Sequence, residues 1–508
     1  MVRASIEPSL DHGQLLKDCY NSAEDDSEPS DFSWFLEDRP ARLVLEQVWW
    51  SAKHPRQVAA GGRGNASTGG AAGGLPRRHS PLPLTLFTMA SLDRLPLLEA
   101  QCRSYPGPLS VAVYLPLLVE AGGGGGGGGG SEPGSPGRPA GAAAAAGAER
   151  PELREAVQQL QALFSAMEAA PRACGLLLGL YSEATADPAM AALMPTNALR
   201  NAALLAAGGG GGGAPLVAMV DVDLSASAGL AAAVADPQRV PALLSRARRE
   251  RAVLVLPAWE PDRGFSAQLG NQLADMALAG GKDVLRRLWL GGPGNATGGG
   301  AAQCGGSGGV PPGADAAAAL AAGCPGLLVP FDVKHFVKGH RATDFARALE
   351  AGPGQDYPIQ YENGYEPWFI AARELMLPYD ERFRGWYGDK ITQVRTMAAA
   401  GRPFWVAADA WLVHRPHPPA PARALFRREG GGNNATAKGV AALEQLVTPR
   451  LLRRTKFEAY VTHSKNMDYW QRRGLLLGGW EPTLSAATRR CWQQLPWWQK
   501  KQEEEGGA

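Results

Sequence analysis

The stretch Pro215-Leu-Val-Ala-Met-Val-Asp-Val-Asp-Leu224 most constrains the fold of this chain, because an apolar strand runs directly into two aspartates one residue apart. Side chains alternate between the two faces of a strand, so Asp221 and Asp223 are expected to point the same way at its end. Two carboxylates placed in this way can share a hard divalent cation. One D-x-D is also expected by chance in a chain of 508 residues, and the two acids would then be solvated. The flanking sequence has to decide between these interpretations.

Charge, cysteine spacing and hydropathy exclude several classes of protein. The formal net charge of +2 gives no field strong enough to indicate nucleic acid or an anionic membrane as the partner. The 6 cysteines show no C-x-x-C spacing, so neither a zinc site nor a small disulfide scaffold is indicated, although one or two disulfides are compatible with an oxidising compartment. No stretch reaches the ~18 apolar residues of a membrane helix, and the first residues contain no apolar signal core. We therefore expect a soluble chain or one that lacks its natural N-terminus.

Strand and helix patterns alternate upstream of the two aspartates. Short β-branched or aromatic runs predict strands, and apolar residues at a spacing of three or four predict helices. The strand patterns cover Leu84–Met89, Leu109–Leu115 and Cys174–Tyr181, and the helical patterns cover Ser91–Cys102, Pro151–Ala170 and Pro195–Leu205. A strand, a helix and a second strand in succession are typical of a parallel α/β sheet, which binds ligands at the carboxyl ends of its strands. Asp221 and Asp223 lie at such an end.

Tracts rich in glycine, proline and alanine interrupt this pattern and cannot form a core. We predict one large domain over residues 84–465, preceded by a loosely attached arm and linker (1–83) and followed by a tail (466–508). The arm contains an apolar island, Trp34 to Trp50, that can pack on the main body as a short helix or strand, and residues 439–465 are predicted as a closing helix. The low-complexity insertions are placed at about 121–149, 207–214, 292–323 and 427–438.

Seven sequence blocks occur in a fixed order between about residues 84 and 420. They are Ser91–Cys102 with Pro106–Leu115, Asn197–Asn201 with Val220–Leu224, Val253–Glu260, Phe336–Phe345, Tyr365–Phe369, Tyr379–Gly385 and Val413–Pro419. Together they resemble the LARGE-like and β-1,4-glucuronyltransferase-like enzymes of glycosyltransferase family 49. An ordered set of this kind is far more specific than any single motif.

The resemblance implies a GT-A fold, an α/β domain with a mainly parallel mixed sheet flanked by helices. It also implies a metal-dependent transferase that uses a UDP-sugar donor and a glycan acceptor. In this family Asp221 and Asp223 would hold Mn²⁺, with Mg²⁺ compatible with oxygen ligands. A third ligand is usually supplied late in the chain. His414 is favoured because it leaves its strand first, and His417 is the second choice.

The resemblance also suggests residues for the two substrates. Arg200 and Asn201, in the block before the acid pair, and Lys338 and His340, in Val-Lys-Gly-His, are candidates for donor binding. Gly339 would let the backbone approach closely. The candidates for acceptor binding are aromatic residues able to stack on sugar faces, namely Trp368, Trp386 and Tyr387. Each also has a structural interpretation, as a surface ion pair, a loop anchor or a packing aromatic. A glucuronate carboxylate would need a basic partner, for which Lys338, Arg341 and Lys390 are the candidates.

Two carboxylates are candidates for the base that an inverting transfer requires. Glu366 lies in a family block, in Tyr-Glu-Pro. Asp389 lies in Phe-Arg-Gly-Trp-Tyr-Gly-Asp-Lys, which resembles the acceptor loop of GT-A galactosyltransferases. LARGE-like proteins carry an asparagine where this chain has Asp389, which slightly favours Glu366 as the shared base. The alternative role for Glu366 is to accept hydrogen bonds from donor hydroxyls.

The predicted function is therefore transfer of a sugar, glucuronic acid by resemblance, from a UDP-sugar to a glycan acceptor. The alternative is a catalytically inactive, GT-A-derived carbohydrate-binding protein, which the altered loop at Asp389 and the large insertions favour. The relatives are type II membrane proteins of the Golgi, so any membrane association would require an anchor that is not visible in this sequence. Three N-x-S/T sequons, at Asn65, Asn295 and Asn434, modestly favour the secretory pathway.

Overall fold

The structure is a computed structural model that describes residues 12–22, 29–53, 82–119, 150–208, 214–292, 315–419 and 450–494. The three sequons and most of each predicted insertion lie outside these residues. So do the first part of the predicted helix over 439–465 and the last part of the tail.

A mixed nine-stranded sheet forms the centre of the molecule, with the spatial order β1-β4-β3-β2-β5-β11-β7-β12-β10. Strands β4, β3, β2 and β5 are parallel, and β11 inserts antiparallel between β5 and β7. A smaller sheet has the order β6-β13-β8-β9. The strands are β1 (Val44–Trp50), β2 (Leu84–Ser91), β3 (Pro108–Leu118), β4 (Gly175–Thr185), β5 (Leu216–Met219), β6 (Leu224–Ala226), β7 (Val253–Leu256), β8 (Ala258–Pro261), β9 (Leu328–Pro330), β10 (Tyr357–Ile359), β11 (Trp368–Ala372), β12 (Phe404–Val406) and β13 (Leu412–His414).

Helices flank this sheet, as an α/β fold requires. They are α1 (His12–Tyr20), α2 (Phe32–Leu36), α3 (Leu95–Ser104), α4 (Pro151–Ala169), α5 (Pro188–Ala192), α6 (Thr196–Ala207), α7 (Ala228–Ala235), α8 (Arg239–Leu244), α9 (Ala267–Ala279), α10 (Lys282–Leu290), α11 (Ala316–Ala321), α12 (Val337–His340), α13 (Phe345–Glu350), α14 (Asp389–Ala399), α15 (Arg450–Leu476) and α16 (Ala486–Gln494). Among the residues described, no helix has the length and apolar character needed to cross a membrane.

The α/β fold class predicted from the sequence is confirmed by this architecture. The predicted strands before the aspartates correspond to β2, β3, β4 and β5, and the predicted helices correspond to α3, α4 and α6. All twelve residues of α6 are buried. Its polar side chains Asn197, Arg200 and Asn201 can be buried because they are hydrogen-bonded to one another or to neighbouring polar groups.

The N-terminal segment differs from the loosely attached arm that its composition suggested. Strand β1 pairs antiparallel with β4 along the edge of the large sheet, from Val44↔Ser182 to Trp50↔Leu177. Leu45 and Trp49 of this strand are buried and Val44 is exposed, as expected for an edge strand with one covered face. The arm therefore contributes a strand to the main sheet.

Two disulfides between described residues connect distant parts of the chain. Cys102 of α3 is bonded to Cys174 just before β4, and Cys19 of α1 is bonded to Cys491 of α16. The second bond fixes the two ends of the described chain to each other, and α16 also packs on α6. Part of the segment that the sequence suggested was a tail therefore belongs to the folded domain.

Candidate active site

The two aspartates lie on a turn between the sheets. Strand β5 ends at Met219 and β6 begins at Leu224, and the turn is closed by a hydrogen bond from the Leu224 amide to the Asp221 carbonyl, 3.0 Å. The acids therefore leave the strand before they reach the site. Asp221 and Asp223 consequently have separate sets of partners, where strand alternation had predicted a common direction.

The Asp221 carboxylate accepts hydrogen bonds from three donors. Oδ1 accepts from Arg200 Nη2 at 3.0 Å, and Oδ2 accepts from Lys390 Nζ at 2.8 Å and from Trp368 Nε1 at 3.1 Å. Trp368 reaches it because β11 pairs with β5 so that Phe369 lies opposite Met219. Lys390 approaches from the first turn of α14 and lies over the Trp368 ring, 4.3 Å from its centroid.

These contacts fix the charge of Asp221. Burial opposes its ionisation, but Lys390 and Arg200 outweigh that effect and hold the pKa of Asp221 below its usual range. Burial would also lower the pKa of Lys390, and the neighbouring carboxylates, Asp221 foremost, instead raise it. Both groups are therefore charged at neutral pH, and the two cations offset the negative charge of this acid.

Asp223 forms a second cluster with two histidines from β13 and the segment after it. Its Oδ2 lies 3.1 Å from His417 Nε2 and 3.5 Å from His414 Nε2, and these two nitrogens are 3.2 Å apart. Strand pairing explains the approach, because His414 lies opposite Leu224 in the β13–β6 ladder. Arg415 extends the contact by donating its amide hydrogen to the Asp223 carbonyl, 2.8 Å.

The chemistry of this cluster fits a divalent metal ion. Ligand atoms of Asp223, His414 and His417 all lie within 4.8 Å of one another. One carboxylate and two imidazoles suit Mn²⁺ and other first-row ions. Burial opposes ionisation of Asp223, but hydrogen bonds and the charge of the two histidines hold the pKa of this acid well below its usual range. The carboxylate is therefore available as a ligand at neutral pH.

The two imidazoles differ on the side away from Asp223. His414 Nδ1 lies 3.9 Å from Glu260 Oε2, whereas His417 Nδ1 lies 2.6 Å from Arg94 Nη1 and 2.6 Å from the Pro418 carbonyl oxygen. The negative charge of Glu260 favours a proton on Nδ1 of His414, which leaves Nε2 as a lone-pair donor. The guanidinium can only donate and the carbonyl can only accept, so the contacts of His417 select neither tautomer. His414 is therefore the better prepared ligand.

An aromatic wall joins the two acid clusters. Phe331 makes edge contacts with Trp368, His340 and His414, with centroid distances of 5.1, 5.2 and 5.1 Å. His340 stacks on Trp368 at 5.7 Å and is buried. Glu366 lies at the edge of this wall, with Oε1 3.7 Å from His340 Nε2 and a side chain that is 19% exposed.

Several predicted residues lie behind this surface. Arg200 is 2% exposed, and its Nη1 donates to Asp389 Oδ2 at 2.5 Å and to Asn197 Oδ1 at 3.0 Å. Asn201 is fully buried, and its amide bonds both the backbone of Tyr379 and the Glu381 carboxylate. Asn201 therefore holds the chain near Tyr379 and does not face the site.

The remaining predicted residues lie on two surface segments. Lys338 is exposed on α12, and Arg341 just beyond it donates to Glu362 at 2.6 Å. Trp386 and Tyr387 lie on the loop between Arg384 and Asp389, where the Trp386 side chain is exposed and Tyr387 is half-buried. The structure therefore brings Asp221, Asp223, the two histidines, His340, Glu366 and Trp368 together, and places Trp386 and Tyr387 on an adjacent loop.

Sequence reasoning missed three contributions to the site. Lys390 was considered for a sugar carboxylate and instead contacts Asp221. Glu260 and Arg94, which lie behind the histidines, were not identified as site residues. Glu260 ends a block that resembles the family, so its position in that block was the available signal.

Comparisons with known proteins show which proteins this chain is similar to. Residues 319–423 match the model of a family described as "Glycosyl-transferase for dystroglycan". The xylosyl- and glucuronyltransferase LARGE2 of Homo sapiens is 25% identical over 353 residues, which make up 69% of this chain and 35% of that protein. The predicted resemblance to LARGE-like glycosyltransferases is confirmed. The region that matches the family model contains Glu366, Trp368, Lys390, His414 and His417.

Shorter matches are closer in identity. The glycosyltransferase-like protein gnt14 of Dictyostelium discoideum is 39% identical over 91 residues, 18% of this chain and 14% of that protein. LARGE1 of Danio rerio is 34% identical over 95 residues, 19% of this chain and 12% of its own length. The chain thus spans only about a third of the length of LARGE2 and less of the other two.

Proposed function

We propose that this LARGE-like chain is a metal-dependent, inverting glycosyltransferase that transfers glucuronic acid from UDP-glucuronic acid to a glycan acceptor in the Golgi lumen. The observation that carries the proposal is the cluster formed by Asp223, His414 and His417. It lies beside Asp221, which is ion-paired with Arg200 and Lys390. An acidic and imidazole ligand set next to a pair of fixed cations suits a metal-bound diphosphate. The resemblance to LARGE2 supplies the sugar, since that relative is named a xylosyl- and glucuronyltransferase.

Asp223 and His414 would hold the metal ion, with His417 as a further ligand or as a hydrogen-bond donor to Asp223. When bound, a divalent cation would neutralise the charge that develops on the diphosphate leaving group. Asp221 acts differently in this proposal. Its carboxylate is engaged by Arg200, Lys390 and Trp368, so it fixes Lys390 at the edge of the donor site.

Glu366 is the base that we propose for the transfer. An acceptor hydroxyl oxygen forms a bond to the anomeric carbon while the bond from that carbon to the UDP oxygen breaks and UDP leaves with the electron pair. Glu366 takes the proton of the hydroxyl in the same displacement. Its side chain is partly exposed beside Trp368, whereas Asp389 is enclosed and ion-paired with Arg200.

The donor sugar and the metal are tested by measuring UDP release. The intact chain is incubated with UDP-glucuronic acid, UDP-xylose, UDP-galactose or UDP-glucose, in the presence of Mn²⁺, Mg²⁺ or EDTA. We expect release to be fastest with UDP-glucuronic acid and Mn²⁺ and to stop with EDTA. Asp223→Asn should reduce release about a hundredfold or more, the scale on which a charge-stabilising group acts.

Asp283→Asn is the matched control, because the Asp283 side chain is 94% exposed on α10. It should leave UDP release unchanged, and circular dichroism should show that both variants are folded. A folded chain that releases no UDP from any donor but still binds glycans would contradict the proposal. That result would support a carbohydrate-binding protein without catalytic activity.

A further inference from the structure

Three peptide groups of the loop between Arg384 and Asp389 bond to the same hydroxyl group, and the Gly385 amide also donates to the Met194 carbonyl at 2.8 Å. Tyr460, a buried residue of α15, accepts hydrogen bonds from the amides of Trp386 and Tyr387, each 3.1 Å from its oxygen. The same hydroxyl donates to the Arg384 carbonyl at 3.0 Å. A tyrosine hydroxyl has one hydrogen to donate, and the loop carbonyl takes it. Tyr460 therefore fixes three consecutive peptide groups of the loop.

Both ends of this loop are anchored by buried ion pairs. Arg384 donates to both oxygens of Glu183, at 2.9 and 2.7 Å, and Asp389 accepts from Arg200 at 2.5 Å. Between these anchors the backbone turns outward, and Gly385 adopts a φ of +66° that favours glycine. Because both ends of the loop are fixed and its centre is exposed, the direction of the Trp386 indole depends on the contacts that the centre of the loop makes.

Helix α15 is itself fixed along its length. Lys456 pairs with Asp187 at 2.5 Å near one end, and Gln471 donates to the Thr392 carbonyl at 2.8 Å farther along. Thr392 belongs to α14, the helix that carries Lys390. The helix therefore joins the loop to α14 and keeps Tyr460 in place beneath it.

We propose that Tyr460 is a positioning residue for the acceptor, and that α15 thereby completes the acceptor side of the active site. In this arrangement the hydroxyl sets the loop so that the exposed indole of Trp386, 40% accessible, presents a face to a sugar ring of the acceptor glycan. This inference rests on the proposed function. It adds a residue from outside the region, 319–423, that matches the family model.

Removal of the hydroxyl alone separates positioning from packing. In Tyr460→Phe the ring keeps its contact with Phe35, at a centroid distance of 5.7 Å. The amides of Trp386 and Tyr387 lose their shared acceptor, and a partly enclosed amide without a partner is unfavourable. The loop must then rotate to reach water, which turns the indole away from its present direction.

The first test is steady-state transfer to p-nitrophenyl β-xyloside from UDP-glucuronic acid. We expect Tyr460→Phe to raise the KM for the xyloside about tenfold, the scale of one ordinary buried hydrogen bond, with UDP release in the absence of acceptor unchanged. Trp386→Ala should raise the same KM, and the double variant should be no worse than Trp386→Ala alone. Tyr469→Phe is the matched control, because Tyr469 is an exposed tyrosine of the same helix.

The second test is hydrogen exchange over residues 384–388, which needs no activity. Tyr460→Phe should accelerate exchange in this segment and leave that of α14 and of the central sheet unchanged. Unchanged exchange in the loop overturns the inference, and so does an unchanged acceptor KM or an equal loss of acceptor-independent UDP release. A parent chain that releases no UDP contradicts the proposed function instead, and the exchange result then decides whether Tyr460 sets the loop.

Discussion

Arg200 and Asp389 form a buried ion pair, with Nη1 2.5 Å from Oδ2, directly behind Asp221. The other arm of the same guanidinium, Nη2, contacts Asp221 at 3.0 Å. One side chain of α6 thus links the turn after β5 to the start of α14. Because the Asp389 carboxylate is engaged in this ion pair, Glu366 is better placed to act as the base in the proposed transfer.

Substitution of the two carboxylates should therefore have different effects. Glu366→Gln keeps the shape of the side chain but removes the proton acceptor, and we expect it to lower kcat for transfer by about 10²- to 10⁴-fold. Asp389→Asn should mainly lower stability, by about 3–5 kcal/mol, because it leaves the Arg200 charge without one of its two buried partners. Transfer rates and urea unfolding measure the two effects.

Glu362→Gln is the control for Glu366, since Glu362 is a nearby carboxylate that pairs with Arg341 at the surface. It should change neither the rate nor the stability appreciably. Loss of transfer in a folded Asp389→Asn variant, with transfer retained in Glu366→Gln, would reverse the assignment of the base.

The two histidines should contribute unequally to metal binding. We expect His414→Ala to weaken Mn²⁺ binding more than His417→Ala, because the Glu260 carboxylate lies behind the first imidazole and favours a free lone pair on its Nε2. Glu260→Gln should itself weaken binding about tenfold through the orientation of His414. Electron paramagnetic resonance of free Mn²⁺ gives the dissociation constants without a measurement of activity. Equal losses for the two alanine variants would show that both imidazoles are ligands of similar weight.

Gly339 offers a test of the packing beside Glu366. A Cβ atom at this position would lie 2.3 Å from a carbon of the Phe336 ring and 3.2 Å from Glu366 Cγ. We expect Gly339→Ala to displace both side chains and to cost about 1–3 kcal/mol of stability, with a lower transfer rate. Gly479→Ala is the control, because no atom lies within 4 Å of the Cβ that it would add. Thermal unfolding and transfer assays should separate the two variants, and equal behaviour would contradict the crowding at Gly339.

The sequence predicts the framework of this molecule better than its site. The strands and helices from β2 to β5 follow from local periodicity, and the acid pair follows from its position after β5. The partners of the two acids cannot be predicted from local sequence, because Lys390 and Asp221 are 169 positions apart in the chain. Local pattern also favoured a strand through Asp221, whereas the chain leaves the large sheet at Met219 to begin the second one. Contacts of this kind depend on tertiary packing and leave no periodic signal.

The contact of Lys390 with Asp221 predicts how stability depends on pH. The pKa of Asp221 is lowered in the folded state against the opposing effect of burial, with Lys390 as the largest favourable influence. A depressed acid contributes stability that is fully present above its unfolded pKa, roughly 4, and that is lost as the pH falls through the folded pKa. Lys390→Met should therefore destabilise the fold at pH 7, and its difference from the parent should shrink below about pH 4 as Asp221 is protonated. Urea unfolding midpoints between pH 7 and pH 3 measure this difference, with the exposed Lys465→Met as the control. A difference that stays constant over this range would show that the lysine acts through packing and not through the charge of Asp221.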